Sequence, residues 1–90
     1  LDVSGNAYVS TTVDTTALDI TAGNTTFTND VLVLQSNEED TGTFNFLKLI
    51  SDKDGTPDTE LTINQDGDIT TDGSITATNI TLFGTLDTTA

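Results

Sequence analysis

Residues 61–86, LTINQDGDITTDGSITATNITLFGTL, decide how this chain folds. The composition predicts short threonine-rich strands there, separated by Asp-Gly turns. One aliphatic residue recurs every five or six positions, at Ile63, Ile69, Ile75, Ile80 and Leu86. A helix would instead place apolar residues at i, i+3, i+4 and i+7. The spacing therefore predicts a chain that folds back repeatedly along an axis and points one aliphatic side chain inward on each pass.

A single thin coil of this kind cannot enclose a core, so the pattern predicts self-association into a fibre. Leu, Ile, Val and Phe make up 24 of the 90 residues, which is above the roughly 20% below which disorder is expected. Small domains with so few apolar residues usually need disulfides, metals or partner chains. The chain has no Cys and no His, which excludes disulfides and the nitrogen and sulfur ligands of metals. Other copies of the chain are the remaining source of stability.

The charge of the chain restricts its partners. Fifteen Asp and Glu residues stand against two lysines, which gives a net charge of -13. Nucleic acid and anionic membrane surfaces are excluded as partners, because both require clustered Lys or Arg. Self-association adds to the repulsion, since three copies carry 3 × -13 = -39. Spreading the charge along a rod or screening it with salt relieves this repulsion.

The composition predicts an all-β fold. Thr fills 21 of the 90 positions, and β-branched residues favour strands. In the first third of the chain we expect strands near residues 9–13, 18–21 and 31–35. Gly5-Asn6 and Gly23-Asn24 separate them as turns.

The most apolar run, TFNFLKLIS at residues 43–51, predicts a strand covered on both faces, because both faces have apolar residues. A polar loop follows, and residues 60–63 return as its partner strand. We then expect tight turns at Asp66-Gly67 and Asp72-Gly73, a dipeptide that favours type I′ geometry.

These elements divide the chain into three segments. Residues 1–42 form an N-terminal β-repeat segment, residues 43–65 a small β-hairpin globule, and residues 66–90 a C-terminal β-repeat segment. The two repeat segments are related, because residues 19–34 align without gaps on residues 68–83 and share an Asp-Ile-Thr start. One type of module is therefore used twice along an axis.

One acidic cluster is a candidate for calcium binding: Asp52, Asp54, Asp58 and Glu60. An EF-hand loop needs acids at positions 1, 3 and 5, Gly at 6 and Glu at 12. Here Gly55 stands two residues before the position at which the EF-hand loop needs Gly, and the loop also contains a proline. We therefore interpret the cluster as a solvated loop and assign no metal site, with calcium as the alternative.

A second cluster, Asp66, Asp68 and Asp72, has the residue type used in glycoside hydrolysis. Such a site also needs a walled groove with aromatic platforms, but the chain has no Trp and Tyr8 is its only Tyr. Asp before Gly is expected at turns in any case. With no His or Cys, nucleophilic catalysis has no candidate either. We therefore predict no catalytic residues, no cofactor and no enzymatic activity.

Residues 63–86, INQDGDITTDGSITATNITLFGTL, resemble the shaft segments of bacteriophage tail fibres, which run strand, Asp-Gly turn, I-T-T-x-G-S-I-T-A and then a further Ile/Leu strand. Residues 44–75, FNFLKLISDKDGTPDTELTINQDGDITTDGSI, are similar to fibre proteins of marine phages, in which a Phe-rich strand and an acidic loop precede the turn repeats. The resemblance covers residues 44–88 well and the N-terminal third loosely.

The resemblance implies an elongated homotrimer, a triple-stranded β-helix or β-prism-like shaft of short strands around a three-fold axis. Such a fibre joins the phage tail or baseplate to a host-surface receptor, so the resemblance implies a location in the virion, outside the cell. Its partners would be other copies and other tail, baseplate or fibre proteins, and the receptor only indirectly. The axial core would consist of Ile63, Ile69, Ile75, Ile80, Leu82 and Leu86.

Two alternatives stay open. A repeat segment of a bacterial surface adhesin would be stabilised by self-association in the same way. Sequence beyond the two ends of this segment would distinguish an adhesin from a fibre. A carbohydrate-binding module of a tailspike belongs to a different class. It would be supported by glycan binding that disappears when Tyr8 or Asp66 is replaced.

Overall fold

The chain divides into two structural units, Leu1–Gln35 and Ser36–Ala90, in a computed structural model that describes residues 1–39, 42–52 and 55–87. The regular structure of these residues consists of three β-strands in the second unit. They are β1 (Asn45–Ser51), β2 (Asp58–Asn64) and β3 (Ile69–Thr71). The described residues form no helix, and the all-β prediction is confirmed.

The three strands form one antiparallel sheet in the order β1-β2-β3. β1 and β2 are the predicted hairpin between the Phe-rich run and residues 60–63. Phe44 extends their pairing, because its carbonyl accepts a hydrogen bond from the Gln65 N–H at 3.0 Å. β3 adds a third strand beyond residue 65, within the segment predicted as C-terminal repeat. The proposed segment boundaries stay a prediction.

Two irregularities interrupt the β1–β2 pairing. In β1, Phe46 is an extra residue, because its neighbours Asn45 and Leu47 pair with consecutive residues of β2. In β2, Glu60 is an extra residue, because its neighbours Thr59 and Leu61 pair with the consecutive residues Ile50 and Leu49. Such bulges increase the local twist and redirect the following side chains. Glu60 is held on both sides, because its side chain accepts a hydrogen bond from the Ser51 hydroxyl at 2.8 Å and its carbonyl accepts one from the Asp72 N–H at 3.0 Å.

The connection between β2 and β3 is a three-residue loop, Gln65-Asp66-Gly67. The Asn64 carbonyl accepts a hydrogen bond from the Gly67 N–H at 3.0 Å. Gly67 has φ of 83°, and no other residue type among those described has positive φ. The predicted type I′ turn is therefore wrong, because it requires positive φ at both central residues. The loop is instead a type I turn followed by a left-handed glycine.

Asn64 organises this loop through its side chain. Its Oδ1 atom accepts hydrogen bonds from the N–H groups of Asp66 and Asp68, both at 2.9 Å. The Asn64 side chain thus supplies an acceptor for two backbone N–H groups of the loop, as is usual in Asx turns. The second predicted turn differs: Asp72-Gly73 is a bend in which the Thr71 hydroxyl accepts from the Gly73 N–H at 3.2 Å.

The first unit has turns but no strands, although all of residues 1–35 are described. Asn24 forms an Asx turn in which its Oδ1 accepts from the N–H and the hydroxyl of Thr26, both at 2.9 Å. The strands predicted near residues 9–13, 18–21 and 31–35 are absent. Strand propensity measures how well a side chain fits a pleated, partly covered surface. These segments have the propensity but no pairing partner among the residues that the structure describes.

Replacing Gly67 tests the loop geometry. We expect Gly67→Ala to lower the free energy of unfolding by about 1–2 kcal/mol, because an L-residue at this φ is strained. A Cβ atom added to Gly67 would meet no neighbouring atom within 4 Å, so the loss reflects backbone strain alone. The matched control is Gly73→Ala, which has equally open surroundings and lacks positive φ. Equal losses for the two variants in denaturant unfolding would contradict the assignment.

Candidate interaction surface

One face of the sheet is aliphatic. β-strand side chains alternate between faces, and directly paired residues point to the same side. The pairing places Leu47 opposite Ile63, Leu49 opposite Leu61, and Ile63 opposite Ile69. These five side chains therefore share one side of the sheet, which we call the aliphatic face: Leu47, Leu49, Leu61, Ile63 and Ile69.

The aliphatic face is only partly covered by the described residues. Leu49 is 46% exposed and Ile69 is 61% exposed, while Leu47, Leu61 and Ile63 are half-buried. The expectation that residues 43–51 are covered on both faces is wrong for the single chain, because Ile50 on the other side is exposed too. Throughout the described residues, no side chain of any kind is buried. The sheet therefore presents an apolar surface that its own chain leaves in water.

The opposite face, which we call the polar face, has charged and hydroxyl side chains together with Ile50. Lys48, Thr62 and Thr70 lie side by side across the three strands. A depression of about 280 Å³ lies beside them, lined by Asp58, Thr59, Glu60, Thr62, Thr70, Thr71 and Asp72. It is lined by threonine and acidic side chains, including their apolar carbons, and none of these residues is aromatic. The two faces of the sheet thus differ sharply, one being uncharged and the other ionic.

The candidate acidic clusters are only partly brought together. Asp58 and Glu60 line the depression together with Asp72, whereas Asp52 is an exposed loop residue and Asp54 lies outside the described residues. Among the described positions, no group of three or more acidic side chains has an arrangement that could hold a metal ion. Tyr8, named above for glycan contact, is 90% exposed and belongs to the first unit.

The predicted axial residues fall into two sets. Ile63 and Ile69 are cross-strand partners on the aliphatic face, so their spacing of six reflects a short hairpin connection. The remaining four are exposed and lie outside the strands: Ile75, Ile80, Leu82 and Leu86. Sequence reasoning missed the contribution of Leu47, Leu49 and Leu61 to the same surface. The alternation of Leu47 with Leu49 and of Leu61 with Ile63 was the available signal.

Comparisons with models of protein families, with curated protein sequences and with solved structures give no match. In the part of the chain that the structure describes, no helix has the length and hydrophobicity needed to cross a membrane.

Charging the aliphatic face tests whether it is an interaction surface. We expect Ile63→Asp to weaken self-association at least about a hundredfold, because an unpaired charge buried between copies costs several kcal/mol. Thr62→Asp is the matched control, since it places the same residue on the same strand but on the polar face. Sedimentation equilibrium of both variants gives the association constants. A similar loss of association in both variants would show that the added charge weakens association regardless of the face on which it lies.

Proposed function

We propose that this chain is a structural shaft segment of a bacteriophage tail fibre, assembled as a homotrimer that links the tail or baseplate to recognition of the host surface. Its role is mechanical and not enzymatic, and it is located in the virion. Its direct partners are other copies of itself and neighbouring tail or fibre proteins. The resemblance of residues 44–88 to phage fibre shafts supports the identity of the assembly, and the aliphatic face supports self-association.

The observation that most favours self-association is the lack of any buried side chain in the described residues. The chain exposes 8748 Å². Two compact units of the same lengths would together expose about 6,000 Å², so the surplus is about 2,700 Å² for each copy. Stable obligate interfaces bury about 2,000–5,000 Å² in total. A surplus of this size is sufficient for an obligate assembly.

The charge distribution agrees with contact through the aliphatic face. A chain with a net charge of -13 repels its own copies, and burying unpaired carboxylates is expensive. The five residues of the aliphatic face are all uncharged. Contact there removes apolar surface from water while the carboxylates of the opposite face stay solvated. The polar face is then the outer surface of the assembly.

The mass of the isolated protein tests the proposal. We expect sedimentation equilibrium to give three times the chain mass of 9.5 kDa. Association should strengthen between 0.1 M and 1 M salt, because the Debye length falls from about 10 Å to about 3 Å. A monodisperse monomer with the circular dichroism of a complete β-sheet would overturn the proposal. Weaker association at high salt would contradict the role assigned to charge repulsion.

A substitution in the C-terminal repeat tests the axial core. We expect Ile75→Asp to dissociate the trimer, because three like charges would meet on the axis at a cost of several kcal/mol each. Thr78→Ser, a small change nearby, should leave the association constant unchanged. Light scattering coupled to gel filtration measures both variants. An intact Ile75→Asp trimer would remove this residue from the axial core.

A further inference from the structure

Residues 31–34, Val-Leu-Val-Leu, form an apolar run without a structural partner. The four side chains are between 47% and 64% exposed. In an extended conformation the two valines face one way and the two leucines the other, so both sides of the run are apolar. No hydrogen bond of the described residues involves residues 31–34. The run has the composition of a strand buried on both faces, but it pairs with no strand among the described residues.

The outer edge of β1 is a strand edge without a partner strand among the described residues. β1 is the first strand of the order β1-β2-β3, so the backbone groups that point away from β2 have no strand partner among the described residues. Leu49 and Ile50 lie on opposite faces of β1 and are 46% and 56% exposed. An exposed strand edge with apolar residues is a template for pairing with another chain. The other edge, β3, is only three residues long and offers a poorer template.

Charge also favours pairing between residues 31–34 and the outer edge of β1. Lys48 lies in the middle of β1, and a lysine on an edge strand normally discourages pairing. Lys48 is exposed on β1, and Asp30, which is also exposed, directly precedes the apolar run. A strand that begins with Asp30 brings a carboxylate to the one lysine of the described sheet. The incoming strand thus removes the obstacle that the lysine creates.

We propose that residues 31–34 of one copy add to the outer edge of β1 in a neighbouring copy, as a fourth strand of its sheet. Strand addition of this kind gains affinity from main-chain hydrogen bonds and specificity from the alternating side chains. The added strand extends the aliphatic face on one side and covers Ile50 on the other. The inference rests on the self-association of the proposed function, but not on its three-fold symmetry.

Amide hydrogen exchange of the assembled 90-residue protein tests this addition. We expect residues 31–34 and the β1 amides directed away from β2 to exchange at least about a hundredfold more slowly than in the dissociated chain. Val33→Pro should abolish this protection of β1, because proline removes a donor and disrupts strand pairing. Leu18→Pro is the matched control. It also places proline at an exposed apolar position of the first unit, and it should leave the β1 edge protected.

A charge exchange tests the contact with Lys48. We expect Asp30→Lys to weaken association at least about tenfold, although it lowers the net negative charge and therefore the general repulsion. Combining it with Lys48→Asp should restore association at the original net charge. Asp2→Lys changes the net charge equally and should not weaken association. A loss with Asp30→Lys that Lys48→Asp does not restore would contradict the contact.

The outcomes separate this inference from the proposed function. A trimer whose β1 edge exchanges rapidly would overturn strand addition and leave the trimeric shaft intact. A protected edge in an assembly of another size would support strand addition and overturn the three-fold shaft. A chain that stays monomeric overturns both, including the case in which residues 31–34 pair with β1 of their own copy.

Discussion

The described residues of this chain leave all of their aliphatic side chains at least partly exposed, and this lack of cover is the constraint on which the rest of the structure depends. Globular domains bury the apolar face of a sheet under a second layer of secondary structure. The described residues supply a single layer, β1-β2-β3, and bury no side chain. With no Cys in the chain, a covalent substitute for that layer is absent as well. In the proposed assembly, contacts between copies supply the missing layer.

The arrangement of charge makes such contacts feasible. Acidic residues are spread along the whole sequence, yet the sheet keeps one face free of them. Antiparallel strands permit this separation, because alternate residues point to opposite sides. Lys48 and the carboxylates around the threonine-lined depression belong to the other side. The same strands thus provide both an uncharged surface for contact and a solvated surface that opposes aggregation.

Sequence reasoning recovered the hairpin but not its extent. The alternation in residues 43–51 and the return strand at residues 60–63 identified β1 and β2 correctly. A short strand between the two Asp-Gly turns was predicted, and β3 is that strand. Its pairing with β2 was not predicted, because a spacing of six between Ile63 and Ile69 fits a coil and a three-residue hairpin loop equally well. The bulge at Glu60 gives no signal, since it lies in the polar run Asp58-Thr59-Glu60. The strands of the first unit were predicted from propensity, which does not say whether a partner is present.

The acidic clusters were also hard to judge from sequence, because strand pairing decides which acidic residues lie close together. Asp72 is distant from Asp58 along the chain, and only the β2–β3 pairing brings it beside Glu60. Asp66 and Asp68 both donate their backbone N–H groups to Asn64 Oδ1, and the Asp68 carboxylate also accepts from Asn64 Nδ2 at 3.4 Å. These contacts organise a loop, which the residue types alone do not distinguish from a catalytic pair.

The bulge at Glu60 has a consequence for the fidelity of folding. The alternating strands are nearly self-similar along the aliphatic face, so sliding by two residues would exchange Leu47 for Leu49 in β1 or Leu61 for Ile63 in β2. The hydrogen bond from the Ser51 hydroxyl to the Glu60 carboxylate favours the observed alignment, because a shift of either strand would break it. Asn64 closes the far end of β2 through its two loop hydrogen bonds. A strand fixed at both ends resists slippage, which protects a repetitive chain from misaligned pairing.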